Sequence, residues 1–142
     1  MYRVNLSLRT QQQMGDELPE VIDQQFEAWL RPVSDGVILY YDENLTEDGQ
    51  TTNAELHISA DRVVLKRIGG QVMEMRFRLG EPYDLLYDTP YGQFPLKINT
   101  RQIILTELVL PEGSCNLNYE LAFEGQPMLN HQLDVTWLMP EL

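Results

Sequence analysis

Met73-Glu74-Met75-Arg76-Phe77-Arg78-Leu79 alternates apolar and charged residues without a break. Successive side chains of a β-strand point to opposite faces, so this run puts Met73, Met75, Phe77 and Leu79 on one face and the charges on the other. A helix would scatter both sets around its circumference. The same period recurs on either side of this stretch. Upstream, Val63 and Leu65 alternate with Arg62 and Lys66, and Ala54, Leu56 and Ile58 with Asn53, Glu55, His57 and Ser59. Val37, Leu39 and Tyr41 share a phase, as do Tyr2, Val4, Leu6 and Leu8. Downstream, Phe94, Leu96 and Ile98 share one, and Cys115, Leu117, Tyr119, Leu121 and Phe123 another. Leu129, Leu133, Val135 and Trp137 form the last. One apolar face per strand is the pattern of an antiparallel sheet; parallel strands are buried on both sides.

Turn signals separate these runs about every ten residues. They include Asp35-Gly36, Glu47-Asp48-Gly49, Ala60-Asp61, Gly69-Gly70, Gly80-Glu81-Pro82, Thr89-Pro90-Tyr91-Gly92, Pro111-Glu112-Gly113 and Gly125-Gln126-Pro127. A row of one-sided strands must hide its apolar face, and no long amphipathic helix is present to cover it. The sheet therefore closes on itself or folds onto a second layer, and closure also removes exposed edges. Leu18 to Val33 reads both ways. Ile22, Phe26, Trp29 and Val33 have helical spacing, while Ile22, Phe26, Ala28 and Leu30 share a strand phase. Pro32 is expected to end either element.

The 142 residues make one domain, 1–142, with a net charge of −12. That charge argues against nucleic acid and anionic membrane as partners, because phosphate binding rests on Lys and Arg. The densest basic group, Arg62, Lys66, Arg67, Arg76 and Arg78, is interrupted by Glu74 and reads as a solvated sheet face. The first nine residues alternate and so do not form a signal peptide, and no stretch has the length of a transmembrane helix. The single Cys115 cannot form an internal disulfide. Together these features place the chain in the cytoplasm as an expectation.

Several polar residues fall on the apolar, inward phase. Arg67 continues Val63-Leu65, Glu43 continues Val37-Leu39-Tyr41, and Thr52 precedes Ala54. Thr100 follows Ile98, His131 lies between Leu129 and Leu133, and Thr10 and Gln12 follow Leu8. A two-residue hairpin at Ala60-Asp61 sets Leu56 against Leu65 and Ala54 against Arg67. Placing Glu43 opposite Gln50 then sets Tyr41 against Thr52 and Leu39 against Ala54. Arg67 would look across Ala54 toward Tyr41 and Glu43. Such a pair is either a pocket floor that orients a polar ligand group or a closed ion pair that sets register. The ion pair takes precedence, since buried charge is tolerated only when paired.

No pattern specifies catalysis, a cofactor or a metal. Cys115 sits mid-strand on the apolar phase, the place of a buried inert thiol. His57 faces outward and His131 inward, with no Cys near either at ligand spacing. Asp42 and Glu43 point to opposite faces, and Glu47-Asp48 is turn chemistry. No glycine-rich loop precedes a helix. Thr89-Pro90-Tyr91-Gly92 fits a type I turn.

The chain resembles the YwiB-like bacterial proteins, a calycin-type barrel family of unknown function. The pieces that carry the resemblance are Tyr41-Asp42-Glu43, Thr52 through Ile58, Arg67-Ile68-Gly69 and Met75-Arg76-Phe77. Tyr87-Asp88-Thr89-Pro90-Tyr91-Gly92, Leu96-Lys97-Ile98-Asn99-Thr100, Tyr119-Glu120-Leu121 and Asn130 follow in order. The resemblance implies a strand over Val21 to Arg31, where the family has Gly near Ala28, and a closed antiparallel up-and-down barrel, calycin/lipocalin-like. It implies no activity.

The expectation is an all-β, non-enzymatic barrel that binds a small apolar or carboxylate ligand, with no cofactor and no metal. Tyr41, Glu43, Arg67, Met75, Thr100 and His131 would line the site, an apolar wall with a few convergent polar groups. Homodimerisation stays open. Two alternatives remain: a filled barrel acting through its surface, and, more weakly, a hydrolase or isomerase using Tyr41, Glu43, Arg67 and His131.

Overall fold

The computed structural model describes residues 1–44, 51–68, 73–89, 91–106, 112–126 and 128–140, with backbone alone at 44, 51–52 and 87–89. The turn signals at 47–49, 69–70, Pro90, Pro111 and Pro127, and the side chain of Thr52, lie outside the described residues. The strands are β1 (Tyr2–Met14), β2 (Glu20–Val33), β3 (Gly36–Asn44), β4 (Thr51–Ser59) and β5 (Arg62–Ile68). β6 (Met73–Arg78), β7 (Tyr83–Thr89), β8 (Gly92–Leu105), β9 (Glu112–Phe123) and β10 (Leu129–Leu138) complete them. No described residue is helical. Leu18 to Val33 resolves as strand: Ala28 and Leu30 are buried, while Trp29, which the helical reading needed inside, is 51% exposed. Pro32 does not end the element; it lies within β2 opposite Val37.

The ten strands form one meandering sheet in the order β6-β5-β4-β3-β2-β1-β10-β9-β8-β7. Strands adjacent in sequence are thus adjacent in the sheet, except β6 and β7, and β1 joins β10 through a ten-pair ladder from Asn5↔Leu138 to Met14↔Leu129. The remaining seam, between β6 and β7, is drawn together at one end by the bridges Arg78↔Glu81 and Leu79↔Thr100. The result is the expected up-and-down antiparallel barrel, nearly closed. Its interior takes the phases read from the alternation, including Val4, Leu6, Leu39, Leu56, Ile98, Leu117, Val135 and Trp137, each 4% exposed or less.

Two registers carry the argument. Ala54↔Arg67 and Leu56↔Leu65 pair as the Ala60-Asp61 hairpin requires. The β3–β4 pairing is a correction: Glu43 lies opposite Thr52 and Tyr41 opposite Ala54, two residues away from the expected register. A slip of two keeps every side chain on its face, so Glu43 and Tyr41 still point inward. The ladder is set from its other end, where Gly36 pairs with Ser59. A Cβ at Gly36 would lie 1.8 Å from the Ile58 carbonyl oxygen, so only glycine fits there.

A β-bulge interrupts β8 between Thr100 and Gln102. The extra residue, Arg101, turns outward and ion-pairs with Glu120, a buried carboxylate on the outer side of β9. Beyond the bulge the inward phase passes from Ile98 and Thr100 to Ile103 and Leu105, both packed on the core.

Trp137 fills the end of the barrel where β10 finishes. It lies opposite Gly113 and is 1% exposed. A Cβ at Gly113 would come within 2.3 Å of Trp137 Cζ2. Gly113→Ala should therefore cost about 2 kcal/mol through overpacking, read as a lower denaturant midpoint with an unchanged slope. An unshifted midpoint would mean that the indole moves aside freely and that this end is not tightly packed.

Candidate functional site

The inward face divides into two zones along the barrel axis. At the Trp137 end, Val37, Leu39, Leu56, Ile58, Val63, Cys115, Leu117 and Val135 are sealed from solvent. The other end is where β1, β3, β5 and β9 finish. There the inward residues Gln12, Phe26, Leu65, Arg67, Met73, Met75, Leu129, His131 and Leu133 are partly exposed, beside Tyr41, Glu43, Thr100, Tyr119 and Leu121, which stay buried. Solvent thus reaches side chains that the strand phase directs into the barrel.

Two polar groups lie at this end, one on each wall. On the first, the register aligns Tyr41, Ala54, Arg67 and Met73 in a row across β3, β4, β5 and β6. Arg67 Nε donates to Glu43 Oε2 at 2.9 Å across the small Ala54. Glu43 is 4% exposed and accepts a further hydrogen bond from the Tyr41 hydroxyl. Burial first, and then the Glu43 carboxylate, push the Tyr41 phenol above its ordinary range, while the Arg67 charge works against them. Phe26 packs on the Tyr41 ring with centroids 4.9 Å apart.

On the second wall, Thr100, Tyr119, His131 and Gln12 form a row across β8, β9, β10 and β1. Tyr119 stacks on His131 with centroids 5.1 Å apart, and its hydroxyl lies 3.4 Å from His131 Nδ1. On its other side Tyr119 meets Phe77 of β6 at 4.6 Å, reaching across the seam strands. Burial pushes the Tyr119 phenol up to about 12 against the opposing Arg67 charge. It also holds the His131 imidazole below its ordinary value. The Thr100 hydroxyl and His131 Nε2 are buried and find no hydrogen-bond partner among the described residues.

The expected site residues are therefore all at one end and all inward: Tyr41, Glu43 and Arg67 on one wall, Thr100 and His131 on the other, and Met75 on β6 between them. Tyr119 was not among the expected residues. Its phase with Leu117 and Leu121 placed it inward, but only the pairing with both Thr100 and His131 puts it at the centre of the polar row. At neutral pH the set presents one ion pair, a neutral imidazole and neutral phenols. Such groups hold a ligand by apolar contact and hydrogen bonding.

Other candidate features lie elsewhere. Cys115 is 2% exposed at the sealed end, and burial pushes its thiol up to about 11. His57 faces outward beside Glu55 at 3.0 Å. Among the described residues no three His, Cys, Asp or Glu side chains are grouped to hold a metal. The basic group splits. Arg62, Lys66, Arg76 and Arg78 are outward, each within 3.7 Å of Asp35, Glu74 or Glu81, while Arg67 alone turns inward. No helix is long and apolar enough to cross a membrane among the described residues.

Ten antiparallel strands in a nearly closed meander barrel define a lipocalin-like fold. Over residues 6–135 the sequence matches the family described as a domain of unknown function, DUF1934, and the chain belongs to that family. Its fold is similar to the crystal structure of the YwiB protein from Bacillus subtilis. That likeness has 21% identity and a TM-score of 0.82, and it covers 99% of this chain and 93% of the other. No curated protein matches the sequence.

Two outcomes follow from the polar groups. Arg67→Ala leaves Glu43 buried with only Tyr41 as partner and should cost about 3 kcal/mol, the low end for a broken buried pair, because the Arg67 side chain is itself 29% exposed. Arg67→Met with Glu43→Leu should recover most of that loss; an unchanged midpoint in Arg67→Ala would place the guanidinium in solvent. The second outcome concerns pH. The unfolded chain protonates His131 as pH falls through 6.5, while the folded protein resists. Stability is therefore lost on the acid side of that value. Between about pH 7.5 and 5.5, wild type should lose more stability than His131→Gln; equal losses would mean that the imidazole titrates as in water.

Proposed function

We propose that this protein is a non-enzymatic carrier that holds one small, predominantly apolar molecule in the open half of its barrel. The observation that carries the reading is the change along the inward face. Side chains of the same strands and the same phase go from sealed at Val63, Phe77 and Val135 to solvent-reachable at Arg67, Met75 and His131. An apolar wall with a few convergent polar groups is the usual make-up of a small-molecule site. Met73 and Met75 supply side chains that adapt to a guest. An apolar acid fits the same space, with Arg67 as the group that would grip its carboxylate. The net charge of −12 speaks against nucleic acid and anionic membrane as partners, and the lone thiol accords with a reducing cytoplasm.

The test is a fluorescence titration with the neutral apolar probe N-phenyl-1-naphthylamine. Wild type should bind it saturably at one site, and Met75→Trp, which fills the open half, should weaken binding at least tenfold, the equivalent of about 1.4 kcal/mol. No saturable binding would leave the reading of a filled barrel that acts through its surface. Equal binding by Met75→Trp would put the probe on the outside.

A further inference from the structure

Thr100 on β8 and His131 on β10 flank Tyr119 of β9 in one cross-strand row. Each turns a buried polar atom inward that nothing among the described residues satisfies. An unpaired buried donor or acceptor is costly and uncommon, and two in one row ask for a common partner. The remaining groups define that partner's chemistry. The Tyr119 hydroxyl lies 3.4 Å from His131 Nδ1, and the tautomer sets which of the two donates. His131 Nε2 is accordingly a donor in one neutral tautomer and an acceptor in the other, and in both it needs a partner. The Thr100 hydroxyl, on the other side of Tyr119 in the row, can donate or accept.

The electrostatics decide the charge of the partner. Arg67 is the inward cation, and its Nε is already engaged by Glu43. A carboxylate placed near it would sit beside the Glu43 carboxylate as well. With the ion pair internally neutral and His131 held uncharged by burial, the interior offers no net positive charge to an anion. Nor does it offer an acid to an amine, because the Glu43 carboxylate is occupied by Arg67 and Tyr41.

We infer that the Thr100–His131 pair is the head-group site of the barrel's ligand, and that this ligand is an uncharged amphiphile. Its apolar tail lies against Phe26, Met73, Met75 and Leu129, and its polar end, a hydroxyl or an amide that can both donate and accept, bonds to His131 Nε2 and reaches the Thr100 hydroxyl. This rests on the barrel being a carrier, and it narrows the cargo from apolar acids to alcohols, amides and their kin.

The experiment is displacement of bound N-phenyl-1-naphthylamine at pH 8 by 1-decanol, decanamide and decanoate, which share a tail and differ in the head. Decanol and decanamide should displace the probe at roughly tenfold lower concentration than decanoate, the effect of one good polar contact. In Thr100→Val that preference should shrink about fivefold. The isosteric valine removes an orphaned hydroxyl, so the variant should also melt about 3 °C higher than wild type; this shows that the altered selectivity is not a folding defect. Three results would overturn the inference. Equal displacement by all three molecules means that the two orphaned atoms are served by water. Preferred displacement by decanoate, lost in Arg67→Met, means an acid cargo and a mobile Arg67. Both leave the carrier reading standing. Failure of wild type to bind the probe at all removes the carrier reading together with this one.

Discussion

Every strand of this protein is apolar on one face only, and no described helix is present to cover that face. The sheet has to bury it against itself. This requirement accounts for the meander, in which every strand but β6 and β7 lies beside its sequence neighbours, and for the long β1–β10 ladder that joins the two ends of the chain. It also accounts for the seam. β6 and β7 are the outermost strands of the sheet, bridged among the described residues by Arg78↔Glu81 at the turn between them and by Leu79↔Thr100 to β8, and Tyr119 packs on Phe77 inside that gap. Large side chains then fill the base of the barrel. Trp137 is accommodated there because Gly113 opposite it has no side chain.

What a barrel of this size does with the rest of its interior is set by a few polar side chains. Arg67 and Glu43 are tolerable inside because they neutralise each other and Tyr41 satisfies the carboxylate further. Ala54 between them leaves the space the guanidinium crosses. The opposite wall is less well served: Thr100 and His131 keep unpaired polar atoms. A core built for stability alone would place apolar residues there. The contrast between a satisfied wall and an unsatisfied one points to the second as the side that meets something from outside the chain.

The face of nearly every strand was legible in the sequence, because a period of two leaves each residue only two directions to point. That is why Glu43, Arg67, Thr100 and His131 were recognised as inward before any pairing was known. Registers were legible only where a tight turn sets them. Ala60-Asp61 placed Arg67 opposite Ala54 correctly, whereas the longer connection after Asn44 left the β3–β4 pairing two residues out. The bulge at Arg101 was hidden, since one extra residue merely looks like an end to the alternation after Thr100. β2 was ambiguous from pattern alone because Ile22, Phe26, Trp29 and Val33 mimic a helical stripe; pairing with β1 along its length decides for strand. Tyr119 was visible as an inward aromatic, but its place beside Thr100, His131 and Phe77 depends on pairings across strands distant in sequence.

Membership of a family of unknown function and a likeness to YwiB settle the fold and leave the role to the interior of the barrel. The central claim is that one half of that interior is sealed and the other receives a guest. The six methionines are distributed to report on it. Met73 and Met75 face the open half, Met139 packs on the core near the sealed end, and Met1 is exposed. The direct measurement is methionine-methyl NMR of the protein titrated with N-phenyl-1-naphthylamine. The account predicts that the Met73 and Met75 signals move together and saturate while those of Met1 and Met139 stay in place. Shifts centred on Met139 or Met1, or no shift at Met73 and Met75, would contradict it.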